Sequence, residues 1–100
     1  MKKIISGKMY NPETARKIGE WWNGQSGYNY IVEAMYCKRT GEYFLYALGG
    51  ANTQYAKPAG QNCWVGSEKI IPLTLVEAQE WGEIHLDADE YEAVFGPVKE

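Results

Sequence analysis

From Tyr28 to Cys37 the chain reads with a period of two. Tyr28, Tyr30, Val32, Ala34 and Tyr36 fall on one face, and Asn29, Ile31, Glu33, Met35 and Cys37 on the other. A period of two is that of a strand with one face inward. Lys38-Arg39-Thr40-Gly41-Glu42 follows as a turn, with Gly41 where positive φ is tolerated. Tyr43-Phe44-Leu45-Tyr46-Ala47-Leu48 then returns as a second strand, so the pair predicts an antiparallel hairpin. Upstream, Lys3 to Tyr10 alternates weakly around Ile4, Ile5 and Met9 and reads as a short edge strand or tight turn of strand, interrupted by Gly7. Asn11-Pro12-Glu13-Thr14 has the chemistry of a helix start: Asn11 caps, Pro12 needs no N–H partner, and Glu13 complements the dipole. Ala15, Ile18 and Trp22 at i, i+3 and i+7 extend it into a predicted helix that Gly24 stops.

Gly49 to Gly66 is polar, rich in Gly and Asn, and without periodicity, which predicts a long loop. Lys69-Ile70-Ile71-Pro72-Leu73 is a short strand that Pro72 confines to an edge or a strand end. Thr74 and Glu77 have capping-box spacing for a helix to about His85, with Leu75, Ala78 and Trp81 as its inner stripe. Asp87 and Glu90 repeat the box and open a last helix, with Tyr91, Val94 and Phe95 inward and Gly96-Pro97 as its stop. The expected order is β-α-β-β-β-α-α. That makes residues 1–100 a single α+β domain, with a small antiparallel sheet of three or four strands against two to three short helices.

A chain of 100 residues buries roughly 60–65% of its unfolded surface, enough for one core. Eight Tyr and four Trp exceed what such a core can fully enclose, so some rings are expected at the surface as contact residues. No stretch approaches the about 20 apolar residues of a membrane span, and Ser6-Gly7-Lys8 interrupts the apolar start. The expected setting is the cytoplasm, where Cys37 and Cys63 default to reduced thiols.

Charge changes the picture. Glu77, Glu80, Glu83, Asp87, Asp89, Glu90 and Glu92 fall between residues 77 and 95 with no Lys or Arg among them. Lys2, Lys3, Lys8, Arg16, Lys17, Lys38 and Arg39 dominate the first 39 residues. The net charge of −3 thus combines a positive front with a strongly negative end, a field that concerns partners rather than fold. The carboxylates recur mostly at helical steps and line outward faces of two short helices. Such a row can occupy a groove built for a phosphate backbone. An ordinary solvated helix face is the plainer alternative. In the polar loop, Tyr55 and Trp64 are candidate apolar anchors, or else rings folded back onto the core.

Catalytic chemistry has little support. His85, the sole histidine, has no local signature linking it to Cys63, and at the end of a helix it reads as a cation complementing the dipole. Cys37, Cys63 and His85 lack the paired spacing of a zinc site. Asp87-Ala88-Asp89-Glu90 opens like a calcium loop but has neither its glycine nor its distal glutamate. Gly49-Gly50 is followed by no Gly-Lys-Ser/Thr, so it makes no phosphate loop. No cofactor is expected. The basic front keeps direct nucleic-acid binding open through Lys2, Lys3, Lys8, Arg16 and Lys17, against which the acidic pI of about 5.2 weighs.

Several stretches carry a resemblance. They are Gly7-Lys8-Met9-Tyr10-Asn11 with Glu13-Thr14-Ala15, Thr40 to Tyr46, Gly49-Gly50-Ala51 with Tyr55-Ala56, Glu68 to Leu73 with Ala78 and Trp81, and above all His85 to Gly96. On these the chain resembles a family of small proteins carried by phages, plasmids and conjugative elements of Gram-positive bacteria. The likeness runs nearly end to end and departs at residues 25–30 and 61–67. It implies a mobile-element setting and carries no catalytic residues. Small acidic proteins of that setting are often counter-defence inhibitors, such as anti-CRISPR proteins that block an RNA-guided nuclease of type II. The expectation is a non-enzymatic inhibitor docking Glu77, Glu80, Glu83, Asp87, Asp89 and Glu90 on a basic nucleic-acid channel, with Tyr55 and Trp64 beside them. The runner-up is a nucleic-acid-binding accessory protein. The edge at Lys69 to Leu73 leaves a homodimer open.

Overall fold

A computed structural model describes all residues 1–100. Its centre is the predicted hairpin: β4 (Ile31–Cys37) and β5 (Tyr43–Gly49) pair antiparallel from Cys37↔Tyr43 to Ile31↔Gly49. Gly41 sits in the connecting turn at φ 92, a conformation that costs glycine no Cβ clash. β3 (Arg16–Trp22) flanks β4, and β8 (Ser67–Leu73) flanks β5, giving a four-stranded antiparallel sheet in the order β3-β4-β5-β8. β8 is an edge, as Pro72 requires. Two small hairpins complete the strands. β1 (Lys3–Ile5) pairs with β2 (Lys8–Tyr10), and β6 (Lys57–Gly60) with β7 (Cys63–Val65). The chain ends in α1 (Leu75–His85) and α2 (Ala88–Phe95). The class is α+β.

The predicted N-terminal helix is a strand. Its start chemistry makes one turn only, with Thr14 and Ala15 N–H bonded to the Asn11 carbonyl and Glu13 N–H to the Asn11 side chain. The apolar stripe then divides. Ala15 joins the cluster on one face of the sheet, Ile18 the cluster on the other, and Trp22 stays 59% exposed. An irregularity between Lys17 and Gly19 shifts the register. Pairing with β4 outweighs a helical spacing made of only three residues. The expected long loop is also corrected, because residues 57–65 form the β6–β7 hairpin. Its tight turn holds Asn62 at φ 55. The strand predicted from Tyr28 begins at Ile31, and residues 27–29 form a single 3-10 turn that leaves Tyr28 exposed.

Alternation along β4 and β5 sends side chains to two cores. Met35 and Leu45 meet Ala78 and Trp81 of α1, bordered by Trp21, Ile71, Leu86 and Phe95. On the reverse face Phe44 and Ile70 meet Tyr10 from β2, with Tyr36 and Tyr46 alongside. α1 and α2 each begin with the capping box read from sequence, at Thr74/Glu77 and Asp87/Glu90. Gly82 lets the two helices meet closely, since a Cβ there would lie 3.1 Å from both Tyr91 and Phe95 rings. Leu75, expected inward, is 57% exposed at the first turn of α1.

The core is thin for the length of chain. Only 14 of 100 residues are buried, and the accessible surface is 6688 Å², against about 5,700 Å² expected for a folded monomer of this mass. The radius of gyration, 14.9 Å, likewise exceeds the about 13 Å of a compact chain this long. The wholly exposed β6–β7 hairpin accounts for part of both.

Candidate docking surface

α1 packs Ala78, Trp81 and Gly82 against the sheet, so the opposite side of the helix faces solvent. Val76, Glu80 and Ile84 recur there at i, i+4 and i+8, one stripe of a helix surface. Val76 is 60% and Ile84 74% exposed, with Glu77 and Glu83 exposed to either side. α2 adds Asp87, Asp89, Glu90 and Glu92, all exposed.

The capping boxes commit three of these carboxylates in part. Glu77 accepts from the Thr74 N–H at 2.8 Å, Asp87 from the Glu90 N–H at 2.8 Å, and Glu90 from the Asp87 N–H at 3.0 Å. Glu80, Glu83 and Asp89 take part in no ion pair or side-chain hydrogen bond within the chain. The lysine–carboxylate pairs lie elsewhere, at Lys8–Glu42, Lys17–Glu20 and Lys38–Glu42. Between the helices an open groove of about 570 Å³ is lined by Gly82, Glu83, Leu86, Asp87, Tyr91 and Glu92, among others. All six carboxylates read from sequence therefore share one exposed helical layer. Sequence reasoning omitted Val76 and Ile84 from that surface, and counted Glu92 in the acidic run but not among the docking residues. The first two were legible in principle, because their spacing places them opposite the Ala78–Trp81 stripe.

The two aromatic anchors part company. Trp64 is 56% exposed on β7 and remains available for contact. Tyr55 is 4% exposed and is corrected from anchor to core residue. Its hydroxyl donates to the Glu33 carboxylate, so the ring cannot serve a partner without leaving the fold. Burial and that bond hold the hydroxyl protonated well above the usual phenol range.

Glu33 is the polar residue the sequence did not single out. It points from β4 into the helix-side core at 8% exposure and accepts from Trp81 Nε1 at 2.9 Å as well as from Tyr55. His85 Nε2 lies 4.0 Å away, its ring centroid 4.6 Å from Trp21 and 4.7 Å from Trp81. His85 stands in the last turn of α1 as read, but as a partly buried ring against Trp21 and Trp81 rather than a free cation. Burial pushes it below its ordinary 6.5, and the Glu33 charge opposes this only in part. The unfolded chain then takes up the proton more readily than the folded one. The resulting stability is full above pH 6.5 and is lost as pH falls through that value. Urea midpoints at about pH 7.5 and about pH 5.5 are expected to fall with acidity, and less steeply in His85→Gln. Equal slopes in the two proteins would contradict this assignment.

Cys37 and Cys63 are free thiols, the first half-buried and the second exposed on β7. No group of three or more His, Cys, Asp or Glu side chains is placed to hold a metal ion, and no helix is long and apolar enough to cross a membrane. Of the basic residues, Lys2 and Lys3 are exposed at the start of the chain, whereas Lys8 and Lys17 are paired with carboxylates. No protein-family model, curated protein or solved structure matches the chain.

Proposed function

We propose that this protein is a non-enzymatic counter-defence inhibitor, an anti-CRISPR protein, whose α1–α2 layer docks on the basic nucleic-acid channel of an RNA-guided nuclease and blocks nucleic-acid binding. The observation that carries this is a surface of seven exposed carboxylates on two capped helices with no Lys or Arg paired to any of them. Glu77, Glu80 and Glu83 step along α1 at about 4.5 Å of axial rise, comparable with the about 3.4 Å of helix axis per phosphate of one DNA strand. A lysine- and arginine-lined channel would meet these charges as it meets a phosphate backbone. Val76 and Ile84 supply the apolar contact first assigned to Tyr55, and Trp64 is a further candidate from its separate hairpin. The mobile-element setting rests on the sequence resemblance, and the choice of target follows from that setting and the charge.

The direct experiment mixes the purified chain with a type II CRISPR nuclease, its guide RNA and target DNA, and follows cleavage and target binding together. Loss of both is expected, steeply weakened by salt because the contact is between opposite charges. Full cleavage at a large excess of the chain would exclude inhibition of that nuclease.

A further inference from the structure

A second charged surface lies where β3 begins and the β4–β5 turn closes. Two adjoining clefts of about 400 and 290 Å³ share Thr14, Ala15, Lys38 and Arg39, one adding Arg16 and Cys37, the other Thr40. Strand pairing puts Arg16 directly opposite Cys37, so the arginine from β3 and the Lys38-Arg39 pair from the turn meet at one sheet end. Lys38 is held in place, its ammonium 3.8 Å from the centre of the Tyr10 ring and 3.3 Å from Glu42.

The nearby Glu42 carboxylate is already occupied. It takes Lys8 at 2.9 Å and the Thr40 hydroxyl at 3.0 Å besides Lys38, and these bonds, that from Lys8 foremost, lower its pKa to about 2. Arg16 and Arg39 have no carboxylate partner, and the N–H groups of Arg39 and Thr40 make no hydrogen bond within the chain. Guanidinium groups present forked donors that match the oxygens of a tetrahedral oxyanion. An acidic protein that keeps two arginines unpaired beside an ordered lysine has free donors there for an anion.

We propose that this cleft binds a phosphate group, with Arg16 and Arg39 as the principal donors and Lys38 fixing the local charge. The group comes either from a nucleic-acid backbone or from a small free phosphate, and both present the same oxygens. The site is independent of the acidic helices, so its fate does not depend on the inhibitor proposal.

The test titrates the isotopically labelled full chain with inorganic phosphate and, separately, with a short single-stranded oligonucleotide, following backbone amide shifts. Shifts confined to Arg16, Lys38, Arg39 and Thr40 are expected. Oligonucleotide binding about tenfold or more tighter than phosphate identifies the backbone as the source, and comparable affinities identify the free anion. The exposed pair Arg16→Ala and Arg39→Ala should weaken either ligand by about tenfold or more, whereas Lys2→Ala with Lys3→Ala should leave binding within about twofold. Absence of shifts with both ligands, or full affinity in the doubly substituted arginine variant, would overturn the site.

Discussion

Replacing Glu33 with alanine is expected to lower stability by about 3–5 kcal/mol, a large share of the about 5–15 kcal/mol that holds a domain of this size together. The carboxylate is the shared acceptor for Tyr55 and Trp81, which approach from a loop and from α1. Its removal leaves two buried donors unsatisfied at about 1–3 kcal/mol each. At about 4–8 °C per kcal/mol the melting temperature should fall by about 12 °C or more. Glu33→Gln keeps the shape and one acceptor oxygen and should cost about 1–2 kcal/mol. A melting curve for Glu33→Ala within a few degrees of wild type would show that these bonds do not matter to the fold.

Phe44→Ala is expected to cost about as much, 3–5 kcal/mol by order of magnitude, for a different reason. The ring has no exposed surface and lies between two others, stacked on Tyr36 at 5.4 Å and meeting Tyr10 edge-on at 5.5 Å. Tyr10 is the only buried residue of the β1–β2 hairpin. The substitution therefore opens a cavity and also loosens that hairpin from the sheet. Amide exchange should accelerate across residues 3–10 beyond the general rise in the variant. A uniform rise over the whole chain would mean that Tyr10 and Phe44 do not anchor the hairpin.

The parts legible in the sequence were those that local chemistry decides. Both capping boxes, the Gly41 turn and the β4–β5 hairpin need only residues close along the chain, and they appear as read except that β4 begins at Ile31 rather than Tyr28. The helix expected after Asn11 failed because only three apolar residues supported it, while strand pairing with β4 acts across a long sequence separation. Tyr55 failed similarly. A tyrosine in a polar, glycine-rich loop gives no sign that its hydroxyl meets a buried glutamate from another strand. Glu33 was read only as a position on the strand face shared with Asn29, and alternation does not tell a buried carboxylate from a strand position open to water. The acidic helices were legible because cap and period together fix which side of each helix faces out. The exposed Val76 and Ile84 follow from the same geometry.

The most direct test of the docking surface is cleavage by the CRISPR nuclease in the presence of wild type or the triple variant Glu80→Lys, Glu83→Lys and Asp89→Lys. These three side chains cap nothing and pair with nothing, so the fold should persist, as circular dichroism would verify. Inhibition by wild type is expected, and its half-maximal concentration should rise by about two orders of magnitude or more in the variant. Equal inhibition by a folded triple variant would contradict the acidic layer as the contact surface, and no inhibition by wild type would contradict the choice of target.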